Sequence, residues 1–124
     1  LASAKLIIAV VDDDPGVLKS LERLLKTHGY EVRPYISAVE FLEDGGLFDI
    51  DCLISDIGMP VIDGFELQRL SGIQRPELPV ILITARADLC SLDAAAANNR
   101  GFLQKPFSTV DLLRALAVAL NDPR

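Results

Sequence analysis

Four places along these 124 residues set a reactive side chain at the end of an apolar run. Asp12, Asp13 and Asp14 follow Leu6–Val11, Asp56 follows Cys52–Ser55, Thr84 closes Val80–Thr84, and Gly101–Leu103 leads to Lys105 and Pro106. Clustered carboxylates repel one another, and each resists ionisation unless a cation neutralises the group. The natural cation is Mg²⁺, a hard ion held by one or two carboxylates, waters and phosphate oxygens. A carboxylate can also act as a nucleophile and form an aspartyl phosphate. Phosphoryl transfer then requires positioning and charge neutralisation, which a metal, a lysine and a hydroxyl donor supply. Singly, each residue has an ordinary explanation. Asp14 before Pro15 reads as a helix N-cap, Thr84 as a strand end, Lys105 as a solvated turn residue. Asp12 and Asp13 are surplus to capping, and the four strand ends together point to a site.

Those side chains converge only if the apolar runs are neighbouring parallel strands. Short β-type runs (Leu6–Val11, Glu31–Tyr35, Cys52–Ser55, Val80–Thr84, Gly101–Leu103) alternate with helix-type stretches about five times. Three runs are almost purely aliphatic, as strands covered on both faces must be, while the more polar Glu31–Tyr35 suits an edge. Between them, Val17, Leu18, Leu21, Leu24 and Leu25 recur at helical spacing after Asp14–Pro15, and Gly29 stands where a left-handed C′ residue belongs. Ser37 and Glu40 form a capping box. Phe65, Leu67 and Leu70 mark a third helix entered near Asp63, and Leu89 to Asn99 is an alanine-rich fourth. Ser108 with Asp111 caps a last one carrying Val110, Leu113, Leu116, Ala117 and Leu120. The alternation predicts an α/β fold: a flavodoxin-like, doubly wound, five-stranded parallel sheet in the order 2-1-3-4-5 with five helices. In such sheets ligands bind beyond the carboxyl ends of the strands, which is where the four sets of residues fall.

Composition narrows the function classes. The chain is one domain's worth, half hydrophobic and 24% charged. A net charge of −6 makes it a poor nucleic-acid binder, because counterion replacement needs a basic field. Two cysteines, Cys52 and Cys90, with the single His28 are too scattered for a zinc site and make no disulfide framework. The apolar runs are too short to cross a bilayer, and no charged-then-apolar leader opens the chain, so a cytoplasmic location is the expectation.

Over nearly its whole length the sequence resembles the receiver domains of bacterial two-component response regulators. The likeness rests on Val11-Asp12-Asp13-Asp14, Ser55-Asp56-Ile57-Gly58-Met59-Pro60 and Lys105-Pro106-Phe107, together with Gly64 and Thr84. Among receivers the wording is most similar to nitrogen-fixation and nitrate-type regulators. The resemblance implies that residues 1–124 form a single receiver domain, with any output domain outside this chain. It implies a signalling domain rather than an enzyme proper, with Mg²⁺-dependent self-phosphorylation and slow autodephosphorylation. Asp56 would be the phosphoacceptor, and Mg²⁺ would be held by Asp12, Asp13, Asp56 and the Gly58 backbone carbonyl. Thr84 and Lys105 would bind the phosphoryl oxygens, the Lys105–Pro106 bond would be cis, and Thr84 and Phe102 would form the switch. The implied partners are a sensor histidine kinase or phosphotransfer protein, a second copy of the chain on phosphorylation, and an output domain of DNA-binding type. Gly58 and Arg86, each two residues past a site residue, would tune dephosphorylation. Departures fall after Thr84: Asn98-Asn99-Arg100-Gly101 replaces the usual Ala-Gly-Ala-like turn, and the interval to Lys105 is about a residue short. They border the face that the fourth helix, fifth strand and last helix commonly use for signalling in receivers.

Two other readings compete. Asp12-x-Asp14 resembles the opening motif of haloacid-dehalogenase-type phosphatases, but the late acidic pair of that family is missing, and Asp111 and Asp122 are isolated. A pseudo-receiver that binds a partner without phosphorylation would leave the full acidic, Thr and Lys set without a use.

Overall fold

A computed structural model of the chain describes residues 5–85 and 101–121. Its five strands are β1 (Ile7–Val11), β2 (Glu31–Tyr35), β3 (Cys52–Asp56), β4 (Val80–Thr84) and β5 (Gly101–Gln104). They pair in parallel in the order β2-β1-β3-β4-β5, which is the predicted order, with β2 at one edge. Four helices are described: α1 (Pro15–Thr27), α2 (Ala38–Glu43), α3 (Gly64–Gln74) and α4 (Thr109–Asn121). The alanine-rich segment Leu89–Asn99, expected to be helical, lies outside the described residues, as do Arg86 and Cys90.

Alternation along the central strands builds two cores. Ile8, Val10, Ile54, Ile81 and Ile83 face α1 and α4, meeting Leu21, Leu25, Leu112 and Leu116. Ala9, Val11, Leu53 and Leu82 face the other way, against Phe41 of α2 and Leu67 of α3. Burial on both faces is why β1, β3 and β4 carry almost no polar residue before their last positions. The last positions are then the only places where these strands can present polar groups without leaving them in apolar surroundings.

The helix ends follow their caps. Asp14 accepts from the amides of Gly16 and Val17, Asp63 from that of Glu66, and Ser108 from that of Asp111. At α2 the box is shifted by one residue. Ser37 accepts from Glu40 N at 3.0 Å, but Glu40 Oε1 reaches Ile36 N, 3.2 Å away, rather than the amide of Ser37. Gly29 closes α1 at φ +94°, the left-handed conformation expected of it.

A short 3₁₀ helix, Gly46–Asp49, precedes β3 and has no counterpart in the sequence reading. Gly45 enters it at φ +69°. A Cβ on Gly46 would come within 2.7 Å of the Tyr35 hydroxyl, so this turn is packed under an aromatic side chain from the edge strand. Arg75, beyond α3, donates to the carbonyls of Leu47 and Ile50 and pins the turn from the other side. Among the described residues, no helix is long and apolar enough to cross a membrane.

Candidate functional site

The carboxyl ends of β1, β3, β4 and the loop after β5 meet at one rim. The Asp12 amide continues the β1–β2 ladder by donating to Tyr35 O, and Ile57 N continues the β3–β4 ladder by donating to Ile83 O. Lys105 N donates to Thr84 O at 2.7 Å, which fixes where the lysine leaves the sheet. The Lys105–Pro106 peptide is cis, as the resemblance implied.

Asp12, Asp13 and Asp56 each bring a carboxylate oxygen within 4.8 Å of the others. Asp12 and Asp56 are buried and Asp13 is exposed, so the cluster opens to solvent on one side. Lys105 Nζ lies 3.1 Å from Asp56 Oδ1 and 3.5 Å from Asp12 Oδ2. Burial, working against charge, would lower the lysine's pKa, but its hydrogen bond to Asp56 and the charges of Asp12 and Asp56 outweigh this and hold it above its ordinary value.

Asp12 shows the opposite imbalance. Burial pushes its carboxyl above the usual range; the hydrogen bond from Asp14 N to Oδ1 opposes that, Asp56 adds to it, and Lys105 opposes it. Oδ2 of Asp12 is buried with no hydrogen-bond donor among the described residues, since Lys105 stands at ion-pair rather than hydrogen-bonding range. Among the described residues, three carboxylates face one ammonium at this rim, which leaves two negative charges uncompensated. At about 5 Å in a partly screened site, each like-charge pair costs on the order of 3 kcal/mol. An orphaned oxygen beside unneutralised charge is the environment a divalent, oxygen-seeking cation satisfies.

The remaining candidates divide. Thr84 is buried at the end of β4, opposite Gln104 in the ladder. Gly58 is exposed beside Asp56, and a Cβ there would stand 3.9 Å from Asp56 Oδ2. Phe102 is half-buried on β5 and contacts Phe65, with ring centroids 6.1 Å apart. Asp14 is committed to capping, so the Asp12-x-Asp14 pair does not present two catalytic carboxylates to one pocket. Gly64 is held more tightly than its motif suggested: a Cβ would fall 2.6 Å from the Asp56 carbonyl oxygen. Sequence reasoning took Phe65 only as a marker of the third helix, with Leu67 and Leu70, and not as a neighbour of Phe102.

The comparisons agree with this geometry. The family model for the response regulator receiver domain matches residues 8–117. Response regulator protein TmoT of Ectopseudomonas mendocina is 36% identical over 93% of the chain and 53% of its own length. Transcriptional regulatory protein FixJ of Azorhizobium caulinodans is 33% identical over 92% of the chain and 54% of its own. The chain thus spans about half the length of these relatives. Among solved structures, response regulator protein TrrA of Thermotoga maritima in complex with Mg²⁺–BeF superposes with a TM-score of 0.83. It is 27% identical, and the match covers 93% of this chain and 99% of that one. With its strand order, acidic rim and family match in accord, the chain belongs to the response regulator receiver domain family.

Proposed function

We propose that this receiver domain takes a phosphoryl group on Asp56 from the phosphohistidine of a sensor kinase or phosphotransfer protein. The observation that carries the reading is the pairing of Asp56 with Lys105 inside an acidic rim where, among the described residues, three carboxylates face one ammonium. Asp56 Oδ1 is engaged by Lys105, whereas Oδ2 faces Gly58, which has no side chain to cover it. An oxygen of Asp56 attacks phosphorus, the phosphorus–nitrogen bond of the donor breaks, and the departing imidazole keeps the electron pair and takes up a proton. Asp12, Asp13, Asp56 and the Gly58 carbonyl are the groups that would hold Mg²⁺. When bound, the ion neutralises the carboxylates and the charge on the transferring oxygens. Lys105, held cationic by its neighbours, and Thr84, at the adjoining strand end, supply the donors to the phosphoryl oxygens.

The downstream reading follows from the relatives. FixJ is a transcriptional regulator about twice as long as the matched segment, so the whole protein is read as a transcriptional response regulator whose output region lies outside this chain. Phosphorylation shifts a two-state equilibrium that involves Thr84 and Phe102, with pairing of two copies as its readout. Gly58 leaves the in-line path to phosphorus without a side chain to place water, so decay of the phosphoryl group is not specially accelerated. Arg86, assigned a share in that tuning, lies outside the described residues.

The test is phosphorylation with a small-molecule phosphodonor and Mg²⁺, followed by mapping of the modified residue. Label is expected on Asp56, with Asp56→Asn folded and unlabelled. Label on Asp12 would favour phosphatase-type chemistry, and a folded domain that takes no label would favour an inert interaction module.

A further inference from the structure

Phe102 stands on edge strand β5, and its ring contacts that of Phe65 at 6.1 Å between centroids, tilted by 43°. Both side chains pack against the core beneath α2 and α3. Phe65 is the second residue of α3, directly after Gly64. Gly64 is pressed onto the acceptor's own backbone: an added Cβ would lie 2.6 Å from Asp56 O and 2.7 Å from Ile57 Cα. Its amide donates to Ile57 O at 2.9 Å. Nothing separates the peptide after Asp56 from the first turn of α3. That turn is held in shape by Asp63, whose carboxylate accepts from Glu66 N at 2.9 Å. A close-packed contact of this kind transmits displacement instead of absorbing it.

We propose that Phe65 is a positioning residue: it carries displacement of the Asp56 backbone through Gly64 to Phe102, and so sets the Phe102 ring by a route that does not pass through Thr84. The proposal rests on Asp56 being the phosphoacceptor. Two contacts then report the state of one site to β5. One runs along β4 to its last residue, Thr84. The other crosses from α3, ring to ring. A displacement through the second route moves Phe102 even when the Thr84 hydroxyl is absent.

The experiment is ¹⁹F NMR on the domain labelled with 4-fluorophenylalanine, which gives one resonance for each of five phenylalanines, Phe102 being assigned through Phe102→Leu. Spectra are taken before and after addition of Mg²⁺ and beryllofluoride, whose own bound fluorine signal reports occupancy of Asp56 separately. The quantity compared is the beryllofluoride-induced change at Phe102, not its resting position. In Phe65→Ala the bound beryllofluoride signal is expected to persist while the change at Phe102 falls at least twofold, and Phe65→Tyr should restore it. Phe65→Leu, which keeps apolar bulk without a ring, gives the same reading if alanine loosens the fold. Thr84→Ala should keep part of the response, and Thr84→Ala with Phe65→Ala should have none. A wild-type-sized change in Phe65→Ala overturns the proposal, as does complete loss in Thr84→Ala alone. A folded wild-type domain that shows no bound beryllofluoride overturns the phosphoacceptor reading itself, and the positioning role falls with it.

Discussion

Single residues at this rim were legible because the fold leaves them little choice of place. Strands covered on both faces can carry polar groups only at their ends, so Asp12, Asp56 and Thr84 declared themselves by following aliphatic runs. Contacts between distant residues had no such signature. Phe65 and Phe102 meet only because β5 pairs with β4 in the register that sets Phe102 beside Leu82. Tyr35 and Asp44 are a second case. The Tyr35 hydroxyl donates to Asp44 Oδ2 at 2.6 Å and roofs the glycine turn below it. Burial first, then the hydrogen bond and the charge of Asp44, push the Tyr35 phenol up to about 12. The native state therefore holds this proton more tightly than the unfolded chain, whose tyrosine titrates near 10. Stability from this source is complete below about pH 10 and is lost as pH climbs towards 12. Tyr35→Phe should destabilise the domain by about 1 kcal/mol at neutral pH, the net value of one such bond. The gap from wild type should narrow above pH 10. Urea unfolding across that range, with ultraviolet titration of Tyr35 in a Tyr30→Phe background, checks both. A Tyr35 that ionises at its ordinary value would refute the assignment.

At the scale of elements, caps and aliphatic runs placed every described helix and strand to within a few residues. Short turns escaped, because they depend on packing that no periodicity reports. The 3₁₀ helix at Gly46–Asp49 is one example; the loop from Asp56 to α3 is another. In that loop Ile62 N donates to Pro60 O at 2.8 Å across Val61, whose φ is +69°. This is a classic-hand γ-turn, rare and strained, with a β-branched residue at its centre. Val61 is 91% exposed, so its side chain gains almost no packing in return. A backbone held in this region costs on the order of 1–3 kcal/mol, and glycine removes most of that while losing about 1 kcal/mol through the greater freedom of the unfolded chain. Val61→Gly is therefore expected to stabilise the domain, by about 1 kcal/mol or a few degrees in melting temperature. The measurement is thermal unfolding in metal-free buffer, and a lowered midpoint would contradict the strain. The loop also joins Asp56 to Gly64, so the same variant shows whether its tension helps hold α3 against the Asp56 backbone: beryllofluoride affinity should then fall even as stability rises.

Across the whole molecule, the acidic rim sits at one end of a chain that already carries a net charge of −6. Asp12 and Asp56 are buried where strands β1 and β3 end, and those strands cannot separate without breaking the central ladder. Repulsion between these two therefore opposes the fold as a unit, and exposed Asp13 adds to it from the solvent side. A divalent ion bound only by the native state should stabilise by mass action, about 1.4 kcal/mol at ten times its dissociation constant. For a domain of this size that is about 5 °C in melting temperature. Simple screening would also relieve some repulsion, but it acts on every exposed charge and scales with ionic strength, not with ion identity. Sodium chloride at matched ionic strength is therefore the proper control, and it should recover only a small part of the Mg²⁺ effect. Asp13 is exposed, so Asp13→Ala should remove a ligand at little expense to the core. In that variant the Mg²⁺ response is expected to shrink, while the metal-free domain becomes slightly more stable through the lost repulsion. The two changes have opposite signs, which a purely structural role for Asp13 would not produce. Equal melting temperatures in Mg²⁺ and in matched sodium chloride would remove the ion from this rim.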